Sequence, residues 1–482
     1  MKKQTLFCVW LLALGFCLVC QANVPTFEQK LNTLIHENIT EASIGLVIQD
    51  PSNGQILYSR HPNKNFYPAS NTKLFTAAAA LKFFGPTFQY QTSIHSNPAK
   101  IKAGVLQDNV YFVFRGDPSL TMEDVSQLIQ QLKAKGVNRI QGKIIIDDKS
   151  FQDPKYAPGW AWDDLPWYYC APITSVMLNE NRVRLKLNKQ ETLNQKITIE
   201  QADPNLPLLK IKSNVKAVTA DEAKNSCQLD ANVENNQISL AGCWPMDKTP
   251  MYIEVALDNP NALVEKIIKA TLQKHHIAYA GKITFGKAPK TPALIVKRSA
   301  PLKDILVKVL ADSNNIYTES LTKALGLAYL GQSSFQVGVR AIAEILAKDT
   351  TIDLSKLNLK DGSGVSRYNL VSPLVISQLL YHMYQNPEFN VFYSALSVSG
   401  VKGSLKERMK SDKLNGKVIA KTGSATGASA LSGYLKTSSG KMIIFSLLIN
   451  HSLANYNTLK QFEEKLCEIL ADETWPGIPA NK

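Results

Sequence analysis

The stretch YPASNTKLFTAAAAL, residues 67–81, sets a serine and a lysine three positions apart at the start of a run of good helix formers. Residues three apart in a helix share a face, so the Lys73 amine comes to lie beside the Ser70 hydroxyl. Leu74, Ala77, Ala78 and Leu81 form an apolar stripe that points into a core. A hydroxyl next to an amine at the start of a core-facing helix is the geometry of a serine nucleophile with a lysine base. The plain alternative is an N-cap serine followed by a snorkelling lysine. Spacing alone does not separate the two, because Ser213-Asn-Val-Lys216 and Ser438-Ser-Gly-Lys441 repeat it.

Two further motifs tip the balance. ADSNNIYTESL supplies Ser313-Asn314-Asn315, the one Ser-x-Asn of the chain, and AKTGSATG supplies its one Lys-Thr-Gly, Lys421-Thr422-Gly423. In this order the three motifs are the signature of penicillin-binding proteins and serine β-lactamases. The first opens a helix, the second lies between helices, and the third falls on a strand where glycine lets a ligand approach the backbone. Taken singly, Ser313 reads as a helix cap and the Lys-Thr-Gly as an edge strand ending in a turn. Three matches in sequence order outweigh those separate readings.

The composition, 45% hydrophobic and 20% charged with no low-complexity tract, is that of a globular protein, and 482 residues call for two or three domains. Lys2 and Lys3, an apolar run from Leu6 to Cys20, and Ala22 read as a secretory signal spanning 1–22. Val19, bulky before Cys20, argues against lipidation, and no other segment has the length of a transmembrane anchor. The mature protein is therefore expected to be exported to the periplasm. The net charge is +14, and removing Lys2 and Lys3 leaves +12. Export and the scattering of the lysines argue against nucleic acid. Loose attraction to anionic envelope polymers fits the charge, as does a merely solvated surface. Four cysteines remain after the leader. Cys227 and Cys243 flank two short strands around an Asn-rich turn and are expected to form a disulfide. Cys467 lies on the apolar side of LKQFEEKLCEIL as a buried thiol, and the state of Cys170 is left open. No Cys/His cluster has zinc spacing, so neither a metal nor a cofactor is expected.

Residues 41–70 read as a β-hairpin around Pro51-Ser-Asn-Gly54 that runs into the Ser70 helix. An α/β texture follows from 88, and LKAKGVNRIQGKIII (132–146) is loosely echoed by LQKHHIAYAGKITF (272–285). Two halves of one α/β domain, 88–186 and 259–292, would then enclose a β-rich domain at 187–258. Helical runs at 301–311, 314–330, 335–348 and 372–386 precede three closing strands and a final helix. The catalytic domain would comprise 23–87 and 293–482, with the strands of both ends in one antiparallel sheet.

With these motifs the chain resembles the D-alanyl-D-alanine carboxypeptidase/endopeptidases of the penicillin-binding protein 4 type, the class C low-molecular-mass penicillin-binding proteins. The likeness covers nearly the whole mature chain and includes GDPSL (116–120), GWAWDD (159–164), DGSGVSRYNL (361–370) and VSGVKGSLKERM (398–409). Asn314 and Ala425 are small departures from the family pattern. The resemblance implies a multi-domain α+β protein: a penicillin-binding-protein/β-lactamase-like transpeptidase fold, an antiparallel sheet with flanking helices, split by an insertion carrying two smaller domains. It implies that Ser70 attacks a D-Ala-D-Xaa amide and that Lys73 takes the proton once burial and Lys421 lower its pKa. Ser313 would relay a proton to the leaving amine, and Asn315 would hold Lys73 and the substrate amide. The N–H groups of Ser70 and Ser424 would form the oxyanion hole. Lys421, Thr422 and Ser424 would bind the terminal carboxylate beside Gly423. Stem peptides of peptidoglycan would be substrates and β-lactams covalent inhibitors.

PGWAWDDLPWYYCAP (158–172) lies in the insertion, and Trp160, Trp162 and Trp167 are expected to anchor this loop. By family likeness Asp164 and Tyr169 border the pocket for the third peptide residue. Asp164 would pair its amine, Arg367 its carboxylate, Tyr169 would line the aliphatic stem, and Thr426 would offer a hydroxyl. The rival readings are a dedicated serine β-lactamase and a catalytically silent wall-binding protein. The large insertion and the lack of a nearby Glu-x-x-x-Asn count against the first. No Gly-x-Ser-x-Gly and no His-Glu-x-x-His is present, which disfavours an α/β-hydrolase and a zinc peptidase of that class.

Overall fold

The computed structural model describes residues 25–475 apart from 152, 189, 191, 205, 226, 246–250 and 349–351. The leader at 1–22 lies outside the described residues. Strands from both ends of the chain build one six-stranded antiparallel sheet, in the order Ser397–Val398, Val418–Ala425, Ala428–Lys436, Met442–Asn450, Ser43–Gln49 and Ile56–Arg60. At the seam between the two ends Ser43 faces Asn450 and Gln49 faces Ile444. Period-two alternation serves two cores. Ile443, Phe445 and Leu447 pack with the helices Phe27–Asn38 and Tyr456–Asp472, while Ile444 and Leu448 face the main helical cluster.

The helical run forms Leu302–Leu310, Asn315–Leu330, Phe335–Ala347 and Pro373–Tyr384, close to the expected spans. All four pack on the helix Lys73–Phe84. That helix is consequently buried on every side from Lys73 to Leu81, not only along the expected stripe. Its four consecutive alanines, Ala77 to Ala80, let so many neighbours approach closely.

The insertion contains a five-stranded mixed sheet, ordered Ile283–Phe285, Ile144–Asp147, Val110–Val113, Gln91–His95 and Ile295–Arg298. The two echoed segments lie side by side here. Ile283 pairs in parallel with Ile144, and the helices Met122–Ala134 and Pro260–Lys274 that precede them also pack together. Two three-stranded sheets follow: Ile199–Gln201 with Arg182–Leu187 and Met251–Ala256, and Ile211–Val218 with Gln237–Pro245 and Leu229–Glu234. The expected boundaries at 187 and 292 need correction. Val183, Leu185 and Leu187 point inward along one strand that begins at Arg182, and Ile295–Arg298 pairs with Gln91–His95. Partners so distant in sequence leave no local mark. The Asn-rich hairpin forms as read: Asn235 and Asn236 take φ +50° and +60° between antiparallel strands. Cys227 and Cys243 are joined in a disulfide with Cα atoms 5.4 Å apart.

Candidate active site

Ser70 lies in the short 3-10 turn Ala69–Thr72, and Lys73 is the first residue of the α-helix that follows. No side chain caps either segment, so Ser70 is not a capping serine. Ala69 at φ +45° turns the chain just before Ser70, which is half-buried. Lys73 does not snorkel; it is fully buried. Its Nζ donates to Ser70 Oγ at 2.8 Å, Asn315 Oδ1 at 2.7 Å and the Ser363 carbonyl at 2.8 Å. Those acceptors match the three protons of an ammonium. Burial lowers its pKa to about 7, against the opposing pull of Asp361 and Glu319. Burial is the leading cause, and the repulsion expected from Lys421 is felt chiefly by Lys421 itself.

Ser313 stands at φ +57° ahead of the helix Asn315–Leu330. The cap is Asn314, whose Oδ1 accepts from Tyr317 N–H at 3.0 Å. This leaves the Ser313 hydroxyl to accept from Lys421 Nζ at 2.8 Å. Asn314 Nδ2 also donates to Glu180 Oε2 at 2.6 Å, fastening this corner to the insertion. Burial, with Lys73 and Lys460 nearby, holds the Lys421 pKa well below the usual lysine value. Asn315 Nδ2 donates to the Tyr169 carbonyl at 2.9 Å, so this amide is tied to the 158–172 loop. The sequence reading had given Asn315 both Lys73, which its Oδ1 meets here, and the substrate amide.

Two buried acids, Glu319 and Asp361, support this cluster, and the sequence reading gave neither a role although it quoted the 361–370 motif. Glu319, one turn beyond Asn315, accepts from the N–H groups of Gly362 at 3.0 Å and Ser363 at 2.6 Å. Asp361 accepts from Gly364 N–H, Ser366 N–H, Asn369 Nδ2 and Trp160 Nε1. Burial, with Asp361 adding to it, raises the Glu319 pKa to about 8. Together they shape the 361–370 loop so that the Ser363 carbonyl meets Lys73. The i, i+4 spacing of Asn315 and Glu319 was the available signal.

The strand Val418–Ala425 runs against the Ser70 turn. A Cβ on Gly423 would stand 3.1 Å from Ala69 Cβ and 3.1 Å from the Pro68 carbonyl, closer than ordinary contact, so a side chain there would push strand and turn apart by a few tenths of an ångström. Ser424, the next residue on this strand, is exposed. Thr422 Oγ1 hydrogen-bonds Ser404 Oγ at 2.6 Å, a partner the sequence had not singled out. Behind the strand, Lys460 Nζ donates to Ser429 Oγ, Glu463 Oε1 and the Gly423 carbonyl.

At the outer rim the Tyr169 hydroxyl donates to Asp164 Oδ1 at 2.6 Å. Burial and Asp164 push the phenol pKa upward. Arg367 is exposed, lies over the Tyr67 ring at 5.0 Å and donates to the Thr426 carbonyl at 3.2 Å. Thr426 thus contributes its backbone to this contact, whereas a hydroxyl role was expected. Of the tryptophans, Trp160 is buried, but Trp162 is 84% exposed and does not anchor the loop. Neither Ser213–Lys216 nor Ser438–Lys441 reproduces the Ser70–Lys73 pair. Ser213 and Lys216 lie on a strand, where residues three apart face opposite sides. Ser438, in a surface turn, bonds Asp472 at 3.0 Å. Cys170 and Cys467 are free and buried.

The sheet, the helix it cradles and the Ser70–Lys73–Ser313–Lys421 cluster define a serine peptidase of the penicillin-binding-protein class. The chain belongs to the D-Ala-D-Ala carboxypeptidase 3 (S13) family, whose model matches residues 28–472. It is 30% identical over 470 residues to the D-alanyl-D-alanine carboxypeptidase DacB of Haemophilus influenzae, covering 94% of this chain and 97% of that one. It is 31% identical over 443 residues to a D-alanyl-D-alanine carboxypeptidase of an Actinomadura species, with 89% and 82% covered. The crystal structure of penicillin-binding protein 4 from Haemophilus influenzae superposes with a TM-score of 0.83 at 29% identity, over 92% of this chain and 99% of that one. Its complex with a β-lactam gives a TM-score of 0.78 at 28% identity, over 92% and 100%.

Proposed function

We propose that this protein is a periplasmic serine DD-peptidase, exported by a cleaved signal, that hydrolyses D-Ala-D-Ala termini and D-amino-acid cross-links of peptidoglycan and is blocked by penicillin. The observation that carries the reading is the hydrogen bond between Ser70 Oγ and a fully buried Lys73 amine with a pKa of about 7. Such an amine is neutral in a large fraction of molecules at neutral pH, as a general base must be.

Ser70 Oγ attacks the carbonyl carbon of the penultimate D-Ala while Lys73 takes its proton. The oxyanion is held by the N–H groups of Ser70 and Ser424, each such donor being worth about 3 kcal/mol. Collapse breaks the C–N bond, and the proton that Lys73 took from Ser70 passes through Ser313 to the leaving amine, which returns Lys73 to its neutral form. Lys421, Thr422 and Ser424 hold the terminal carboxylate, with Gly423 giving it access. Water, deprotonated by Lys73, then hydrolyses the ester. A β-lactam acylates Ser70 in the same way, but its opened ring leaves an ester that hydrolyses slowly. Asp164, Arg367, Tyr169 and Thr426 are read as the rim that meets the third residue of the stem peptide. The free Asp164 oxygen faces its amine. The insertion between the two parts of the catalytic domain is read as the portion that meets the wall polymer.

A fluorescent penicillin tests the reading: a stable covalent label, with release of D-Ala from a D-Ala-D-Ala peptide, is expected. No label contradicts it, and rapid release points to a β-lactamase.

A further inference from the structure

We propose that the cleft between the 162–169 loop and the β-rich part of the insertion binds the amino-sugar chain that carries the stem peptide. This rests on the peptidase reading above and adds a second contact to the same substrate. The cleft holds about 1050 Å³, at the upper end of the range for small-molecule sites and ample for two or three sugar rings.

Its floor is the outer face of the sheet Ile211–Val218, Gln237–Pro245 and Leu229–Glu234, and strand register sets its shape. Ser239 on the central strand lies between Lys212 and Asn232, and Ala241 between Asn214 and Asp230. All six are exposed. Small residues along the middle with long polar ones on either side make a trough lined with amide, carboxylate, amine and hydroxyl groups. The facing wall carries Trp162, a large indole left 84% in water. An exposed aromatic surface beside a polar trough is the signature of a binding site. The flat C–H face of a pyranose suits an indole, and its hydroxyl and acetamide edges suit the opposite polar rows. Lys212 and Asp230 mix the two signs of charge, which fits a neutral polyol better than a carboxylate-bearing peptide.

The cleft adjoins the rim of the catalytic centre through Tyr169. Asp164 and Tyr169 line it, and the Tyr169 carbonyl accepts from the Asn315 amide that holds Lys73. A sugar chain lying in the trough would present its peptide toward Ser70.

The test is a titration of the full-length mature protein with a neutral, peptide-free oligomer of N-acetylglucosamine, followed by tryptophan fluorescence and calorimetry. Saturable binding is expected, with Kd raised about tenfold or more by Trp162→Ala and several-fold by Asn232→Ala. Both positions are exposed, and circular dichroism checks that each variant is folded. Absence of binding to the wild type, or an unchanged Kd in folded Trp162→Ala, overturns the proposal. Trp162-dependent binding of a sugar-free stem peptide equal to that of the oligomer also overturns it, reassigning the cleft to peptide. Penicillin acylation of the same wild-type preparation is scored separately, so its failure strikes the peptidase reading and not the sugar titration.

Discussion

Glu319 and Lys73 grip one residue from opposite sides. The Glu319 carboxylate accepts from Ser363 N–H at 2.6 Å, and Lys73 Nζ donates to the Ser363 carbonyl at 2.8 Å. The catalytic amine is therefore positioned by a buried acid it does not hydrogen-bond, and its charge is set by burial opposed by Asp361 and Glu319.

A pH profile follows from this arrangement. Only neutral Lys73 accepts the Ser70 proton, so acylation by penicillin should rise with pH through about 7 and then level off. Ionised Glu319 stabilises the ammonium and so raises the Lys73 pKa, but its own pKa of about 8 leaves it mostly protonated near pH 7. Glu319→Gln should therefore move the inflection modestly to lower pH, as read by stopped-flow acylation. A shift to higher pH contradicts the coupling.

Lys73→Ala should lower acylation by about 10²- to 10⁴-fold, the usual worth of a general base. Lys73→Arg should not restore it, because a guanidinium stays protonated. A wild-type rate in either variant would pass the role of base to Lys421.

The motifs were legible because the chemistry demands those residue types in that order. The helices around them were legible from apolar periodicity, although the cap before 315 falls on Asn314 and not on Ser313. What was missed lies at long range. Asp361 looks like an ordinary loop acid until Trp160, from the insertion, donates to it. Ser404 meets Thr422 only through folding of the strand. The strand Ile295–Arg298 joins a sheet whose partner is some 200 residues earlier. Trp162 was read as an anchor because a tryptophan among aromatic neighbours usually packs, and no local pattern marks the one that does not.

Trp160→Phe tests the buried acid directly. The indole N–H donates to Asp361 Oδ2 at 2.8 Å in a buried setting. Removing it leaves a buried carboxylate short of a donor, a cost of about 1–3 kcal/mol. Chemical denaturation should show that loss, and an unchanged midpoint would contradict it.

Asp164→Ala should reduce cleavage of diaminopimelate-containing wall peptides by roughly tenfold, the worth of one charge-assisted hydrogen bond. Acylation by a simple penicillin should change little. Tyr169→Phe, which frees the Asp164 oxygen now held at 2.6 Å, should have a smaller effect on the same peptides. Equal losses toward peptide and penicillin in Asp164→Ala would make the residue structural.

The central claim is that Ser70, and no other serine, forms the acyl-enzyme. Peptide mapping by mass spectrometry after brief exposure to penicillin tests it most directly. The account predicts one adduct, on the fragment that contains Ser70. An adduct on the fragment holding Ser213 or Ser438, or no adduct at saturating penicillin, would contradict it.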